Sequence, residues 1–410
     1  MKQKQPMAKK KKEYDFFSDE RSTGVAYKNK SRKRKIINYL DKNGETIIAE
    51  LAQAINISTP KTTSLINELI DEGLISDYGK VDSTGGRPAS TYGLVADSCF
   101  FIGIDVKQYY VNIGLLDFQK NLRKANMKTP FLLENNEASL NSLIKLVRDF
   151  IKTANIDKHK ILSLCVNLGG RINTNSGVSY SYFHFNDQPL SAVLEKQLGI
   201  KSFIENDSRA MAYGEFHKGI VNNEKNVLFM NLDYGLGLGI MIEGQVYYGK
   251  SGFSGEIGHI PFFNNEIMCH CGKKGCLETE ASGIALLRLF KEKMVEGIRS
   301  SISSQKDIRL NDIIDAAKNE DMLSIDLLAA IGEKIGRGIA VLINILNVEM
   351  VILGGPLAST GDYIYLPVKA ALNKYSLNLV SQDTQLVLSE LEEKAGLVGG
   401  CLIARNKLLL

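Results

Sequence analysis

The arrangement of apolar and polar positions changes character twice along the chain. Residues 1–30 are polar and charged with no sustained periodicity, which reads as a disordered basic arm. From Lys33 the spacing becomes helical: Ile36, Ile37 and Leu40 form one face, and Asn43-Gly44 ends it. A second helix carries Ile47, Ile48, Leu51, Ala52 and Ile55. A third opens at Thr59-Pro60, read as an N-cap followed by proline at the first helical position. It shows Leu65, Ile66, Leu69 and Ile70 at helical spacing and stops at Gly73. Two strand-like runs, 74–80 and 89–94, flank Ser83-Thr84-Gly85-Gly86-Arg87-Pro88. Three short helices and a glycine-tipped hairpin over residues 31–95 predict a winged helix-turn-helix.

Beyond Cys99 the pattern is α/β. Runs 100–105 and 110–116 read as a hairpin, followed by a helix at 140–151, a buried strand at 161–168, a helix at 190–198, a strand at 203–204 and a helix at 208–217. The order then recurs, with a second hairpin at 227–231 and 238–242, helices, and a strand at 351–353 ending in Gly354-Gly355. A repeated hairpin-then-βα order predicts a duplicated fold with a cleft between two lobes, 96–220 and 221–410, the last helix being free to return to the first lobe. Ligands are expected at strand carboxyl ends facing that cleft.

Composition narrows the class. With 410 residues, 44% hydrophobic and 23% charged, the chain can bury several cores and is neither a disulfide-stapled scaffold nor a disordered one. The most apolar stretch, 335–355, is interrupted by Arg337, Asn344, Asn347 and Glu349, short of the roughly 20 apolar residues of a membrane span. Lys9 to Lys12 have no apolar segment behind them, so a cytoplasmic location is expected. Net charge is +4, yet residues 1–95 hold 17 Lys and Arg against 12 Asp and Glu, which is +5 and leaves −1 for the rest. The basic end is therefore where nucleic acid would bind, although such runs are more often solvated faces. Thr59, Lys61, Thr63, Ser64 and Asn67 lie off the apolar stripe of the third helix, short donors and acceptors suited to base edges and phosphates in a major groove. Arg87, on an extended Gly/Pro-flanked segment, suits the narrow minor groove of A·T-rich DNA; the plainer reading is a solvated wing turn.

Three constellations fall at strand ends. Glu205-Asn206-Asp207 sits between a strand and a helix, where Asp207 could cap the helix or, with the neighbouring amide, grip adjacent hydroxyls of a polyol. Gly255-Glu256-Ile257-Gly258-His259 leads into Cys269, Cys271 and Cys276, a Cys₃His set for structural Zn²⁺ with His259 as fourth ligand and His270 as the alternative. Asp233-Tyr234-Gly235-Leu236-Gly237-Leu238-Gly239 is a glycine-rich turn able to cradle phosphate or serving only backbone geometry.

These residues resemble the ROK family of repressors, open reading frames and kinases over nearly the whole chain. The most specific marks are Glu205-Asn206-Asp207 with Ala210 and Gly214-Glu215, and Gly255 to His259 running into the Cys269-x-Cys271-Gly272-x-x-Gly275-Cys276-x-Glu278 loop. The resemblance implies an actin-like, ribonuclease-H-like ATPase fold. It further implies sugar binding by Asn206, Asp207, Glu256, His259 and Glu278, with His259 also on zinc. In kinase members the residue matching Asp207 is the catalytic base. The winged helix with Gly85-Gly86-Arg87-Pro88 looks like the repressor branch, related to xylose, N-acetylglucosamine and glucose-regulon regulators. The kinase turn Asp-x-Gly-Gly-Thr is replaced by Asp105-Val106-Lys107-Gln108-Tyr109, and the usual Gly-Thr-Gly by Asp233-Tyr234-Gly235. The usual Pro-Gly beside the sugar reads Asn167-Leu168-Gly169-Gly170. The expectation is a sugar-responsive transcriptional repressor without kinase activity. It would bind an A·T-rich inverted repeat as a homodimer or homotetramer, with a sugar or sugar phosphate as effector and no membrane partner. The alternatives are an ATP-dependent sugar kinase with an added DNA-binding domain, and a repressor controlled by a docked protein.

Overall fold

The computed structural model describes residues 24–81, 89–185, 187–303 and 307–409. The expected arm at 1–23 and the wing tip at 82–88, Arg87 included, lie outside the described residues. Residues 24–30, read from sequence as part of the arm, belong instead to the first helix, α1 (Gly24–Asn43). Its buried positions, Lys33, Ile36, Ile37 and Leu40, begin only at its middle, so the polar first turns gave no periodic signal. A short strand β1 (Thr46–Ile47), α2 (Ile48–Ala54) and α3 (Thr59–Asp71) follow; Ser58, extended, is the N-cap of α3, and Thr59 and Pro60 are its first helical residues. Strands β2 (Ile75–Val81) and β3 (Ala89–Leu94) pair antiparallel, and β1 adds to β3. Lys33 ties α1 to α3 through Glu68 at 2.9 Å and Glu72 at 2.6 Å. Burial opposes its charge, yet the two carboxylates outweigh that and hold the ammonium above the ordinary lysine range.

The first lobe begins with β4 (Phe100–Val106), β5 (Tyr110–Asp117) and β6 (Leu122–Pro130), then α4 (Glu137–Thr153) and β7 (Ile161–Leu168). A small ribbon, β8 (Ile172–Asn173) and β9 (Val178–Ser179), precedes α5 (Leu190–Leu198), β10 (Lys201–Asn206) and α6 (Asp207–Lys218). The second lobe repeats the plan with β11 (Val227–Leu232), β12 (Leu236–Ile242), β13 (Gln245–Val246), α7 (Gly283–Val295), α8 (Leu310–Lys318) and α9 (Met322–Leu346). It closes with β14 (Met350–Gly354), α10 (Asp362–Tyr375), α11 (Asn378–Asp383), β15 (Gln385–Leu388) and α12 (Ala395–Leu409). Two five-stranded sheets result, ordered β10-β7-β4-β5-β6 and β15-β14-β11-β12-β13, the same order element for element. In each, the hairpin and its third strand are antiparallel and the other two strands parallel.

The helices that end the two repeats are exchanged. The α6 helix leaves the first sheet and packs on β11 and β12 of the second, while α12 leaves the second and packs on β4, β5 and β7 of the first. The apolar run at 335–355 proves to be the end of α9 plus β14, and no helix among the described residues is long and apolar enough to cross a membrane.

The winged helix is not an appendage. Ile36, Leu40, Leu65 and Leu69 share one apolar cluster with Phe101, Phe118, Cys165 and Ile403 of the first lobe and α12. Across that junction the buried Arg405 makes a two-pronged pair with Asp41 of α1, at 2.6 and 3.3 Å, and its Nε donates to the Phe118 carbonyl at 3.2 Å. Removing one partner of a buried pair costs roughly 3 to 5 kcal/mol, and Asp41, partly exposed and also held by Lys120 at 3.1 Å, lies at the low end. Arg405→Ala is therefore expected to lose about 3 kcal/mol in urea denaturation; a loss below about 1 kcal/mol would show that the pair does not hold the junction.

Candidate functional site

A cleft of about 630 Å³ lies where the two sheets present their strand ends, lined from the first lobe by Lys107, Gly169, Gly170 and Tyr182 and from the second by Asp233, Glu256, His259 and Glu278. Such a volume suits a small ligand. Asn206 and Asp207 reach it because β10 ends there and α6 begins.

The cap belongs to Asn206, not Asp207: its Oδ1 accepts from Arg209 N at 3.1 Å, and its Nδ2 donates to the Gly170 carbonyl at 3.1 Å. Asp207 is turned toward the cleft, Oδ1 accepting from Ser208 N at 2.8 Å and Oδ2 from Asn231 Nδ2 at 3.1 Å. Glu205, which the sequence placed beside them, is fully buried and not available to a ligand. It holds Arg209 Nε at 2.8 Å, Thr174 Oγ1 at 3.1 Å and Tyr248 OH at 3.0 Å, and Arg209 in turn donates to the Gly252 carbonyl at 2.7 Å. That network fixes the start of α6 against the loop carrying Glu256.

His259, Cys269, Cys271 and Cys276 converge, their ligand atoms all within 4.8 Å of one another. The Cys271–Cys276 sulfur separation is 3.7 Å and Cys269 Sγ lies 3.5 Å from His259 Nδ1. A tetrahedron of ligands around zinc at about 2.3 Å has edges of about 3.8 Å, so the donor set and spacing fit a metal. The other ring nitrogen, His259 Nε2, faces Glu256 at 3.8 Å. His270, the alternative ligand, points to Glu278 instead, 2.9 Å from its carboxylate. Glu278 is nearly buried and its other oxygen accepts from Leu236 N at 3.0 Å. Burial works against its ionisation, but the His270 contact and the Leu236 N–H hold its carboxyl below the usual range.

One feature at the inner end escaped sequence reasoning. Lys107, nearly buried, lies between Asp105 of β4 at 3.5 Å and Asp233 after β11 at 3.9 Å, one carboxylate from each lobe. Burial pushes the Asp105 carboxyl up to about 6 despite Lys107, with Asp207 and Asp233 adding to the rise. Burial likewise raises Asp233. For Lys107 burial opposes the charge, but Asp105, Asp233 and Asp207 together hold the ammonium well above the ordinary range. At the mouth Tyr109 meets Tyr234 edge-on at 5.7 Å, with Arg309 over Tyr109 at 5.2 Å. Only the unusual Lys107 and Tyr109 in the first hairpin turn signalled this in the sequence.

On the winged helix, α3 buries Thr62, Leu65, Ile66 and Leu69 and leaves Thr59, Ser64 and Asn67 exposed and Lys61 and Thr63 half-buried on the outer face. Thr63 returns its hydroxyl to the Thr59 carbonyl at 2.9 Å, so of the five it is the least free to reach outward.

A winged helix-turn-helix fused to a two-lobed, actin-like cleft defines the class of this chain. Residues 30–76 match winged helix-turn-helix DNA-binding domains, and residues 101–407 match the ROK family. The chain belongs to the ROK family. It is 28% identical over 356 residues to a putative xylose repressor of Caldicellulosiruptor sp. (strain Rt8B.4), covering 86% of this chain and 89% of that protein. It is 24% identical over 371 residues to the DNA-binding transcriptional dual regulator NagC of Escherichia coli (strain K12), covering 90% and 91%. Among solved structures, a ROK family transcriptional regulator described as a homolog of the E. coli MLC protein superposes with a TM-score of 0.78 at 26% identity, over 93% of this chain and 97% of that one.

Proposed function

We propose that this chain is a cytoplasmic, sugar-responsive transcriptional repressor in which the winged helix (residues 31–95) reads operator DNA and the cleft between lobes 96–220 and 221–410 takes the effector. The observation that carries the reading is that one framework joins an outward-facing polar helix, α3, to a cleft rich in hydroxyl-gripping groups. Asp207 and Glu256 accept from hydroxyls, Asn206 lies beside them, and His259 presents the nitrogen that faces Glu256. Glu278, already bonded to Leu236 N and His270, reaches the sugar only through its remaining lone pairs. The names of the relatives support the reading. Kinase activity is absent in this proposal, because Lys107, Tyr109 and Tyr234 occupy the turns where a nucleotide's phosphates would be held.

Zn²⁺ is the ion proposed for His259, Cys269, Cys271 and Cys276, and its chemistry there is structural: it clamps the loop that carries Glu256 and Glu278. Metal analysis of protein purified without chelator should find one zinc per chain, with Cys271→Ser losing it; no metal in the wild type would refute the assignment.

Helix-turn-helix readers bind two-fold sites as dimers, so a homodimer or homotetramer on an A·T-rich inverted repeat is expected. On DNA selected by the protein from a random pool, Arg87→Ala should cost roughly 1 to 3 kcal/mol through the minor groove. Lys61→Ala should flatten the salt dependence by about one phosphate contact. Unchanged affinity in both variants would remove the winged helix as the reader.

The effector reading is tested at Asp207. Hydrogen bonds to a charged group contribute roughly 1.5 to 3 kcal/mol, so Asp207→Ala should need about 10- to 100-fold more sugar to leave the operator, across a panel of xylose, glucose and N-acetylglucosamine. A coupled assay on the same sugars should give no ADP above background. Release at the wild-type concentration, or ADP formation that Asp207→Asn abolishes, would overturn the proposal.

A further inference from the structure

The inner end of the cleft has the parts of an anion site, and several of them are already satisfied from within the chain. The start of the twelve-residue helix α6 points into the cleft, and helix N-termini favour anions. Its first free amides, however, are taken: Ser208 N by Asp207 at 2.8 Å and Arg209 N by Asn206 at 3.1 Å. The glycine-rich turn after β11 offers backbone amides of the kind that cradle phosphate. There Tyr234 N donates to Asp233 at 2.7 Å and Leu236 N to Glu278 at 3.0 Å. The inner ammonium, Lys107, is held between Asp105 and Asp233.

The remaining charge points the same way. Among the described residues lining the cleft, Asp207, Asp233, Glu256 and Glu278 are carboxylates and only Lys107 and Arg171 are lysine or arginine, Arg171 being exposed. Asp105 lies behind Lys107. His259 and His270 sit at the Cys loop, where His270 already faces Glu278. A phosphate at the inner end would meet a carboxylate at the Ser208, Tyr234 and Leu236 amides, whereas a neutral hydroxyl donates to those same carboxylates.

We propose that the cleft selects an unphosphorylated sugar, with Asp233, Glu278 and Asp207 standing where phosphate oxygens would bind and Lys107 closing the inner end as a built-in counter-ion. This rests on the reading of the cleft as a sugar site. Binding to the full chain is measured by calorimetry for xylose, glucose and N-acetylglucosamine, each against its terminal phosphate ester, and for ATP. The best free sugar should bind at least about tenfold more tightly than its phosphate ester, and ATP should not bind. A phosphate ester binding as tightly as its sugar, or ATP binding, would overturn this inference and leave the sugar site standing; no binding by any sugar in either form would overturn both. Asp233→Ala frees the Tyr234 amide and loosens the hold on Lys107, so the preference for free sugar should fall severalfold. Asp233→Asn, which keeps the acceptor but not the charge, should lower it less. If both variants retain the wild-type preference, the carboxylate does not exclude phosphate and the inference fails.

Discussion

The structure depends on two helices crossing at almost backbone contact. The α6 and α12 helices, which end the two repeats, each lie on the opposite lobe's sheet and meet where Gly214 and Gly399 bring their backbones together. A methyl on Gly399 would overlap the Ala210 carbonyl, and one on Gly214 would lie 2.5 Å from the Ala395 carbonyl oxygen. The sheets are cut to match: Gly103 in β4 lies under the α12 backbone, and Gly239 in β12 lies 2.6 Å, measured from where its Cβ would be, from the Ser208 carbonyl oxygen of α6. Interiors packed this closely do not deform continuously, so the crossing holds the two lobes together.

The crossing also explains why the cleft chemistry sits where it does. Because α6 is borrowed by the second lobe, its first residues stand between the two sheets, and Asp207 bonds to Asn231 of β11 although it follows β10 in the chain. Asp105 stands near the end of the corresponding strand of the first sheet, β4, against Gly396 at the start of α12. Two acidic groups and a third, Asp233, thus gather at one end, and a cation is needed among them. Lys107 supplies it from inside the fold.

What the sequence showed and hid follows from which interactions are local. The 190–198 helix could be read at its exact bounds because Pro189 opens it and Gly199, left-handed at φ 64°, closes it. The Cys loop was legible because thiolates and imidazole at that spacing have few other uses, and the structure brings all four together. Strand β6 was missed because it is an edge strand, Leu122–Pro130, exposed or half-exposed throughout, with no apolar alternation to detect. The Asp105–Lys107–Asp233 bridge, the Glu205–Arg209–Tyr248 network and the Lys33 ties to Glu68 and Glu72 were hidden for another reason. Each joins residues remote in sequence, and in sequence Lys33 looked like one more member of a basic run. Asp207, offered as a possible cap, and Asn206, which does cap, are adjacent and chemically alike as caps, so only backbone geometry separates them.

On the proposed function, a route from cleft to DNA would run along α12. Its first turn lies against Asp105 at the inner end of the cleft, its middle is buried on every side, and near its end Arg405 grips Asp41 of α1, the helix that Lys33 fastens to α3. A ligand shifts a conformational equilibrium only by the difference in its affinity for the two states. On the proposed function, a sugar held by Asp207 on α6 and by Glu256 on the second lobe would favour whichever lobe angle lets both reach it. Since α6 and α12 meet at almost backbone contact at Gly214 and Gly399, a change in that angle would bear on α12 and, through Arg405, on the winged helix. Any coupling between sugar and operator must therefore appear reciprocally, operator binding weakening sugar binding by the same factor. On the proposed function, such coupling would pass through the junction where Arg405 of α12 pairs with Asp41 of α1 within the apolar cluster that the winged helix shares with the first lobe.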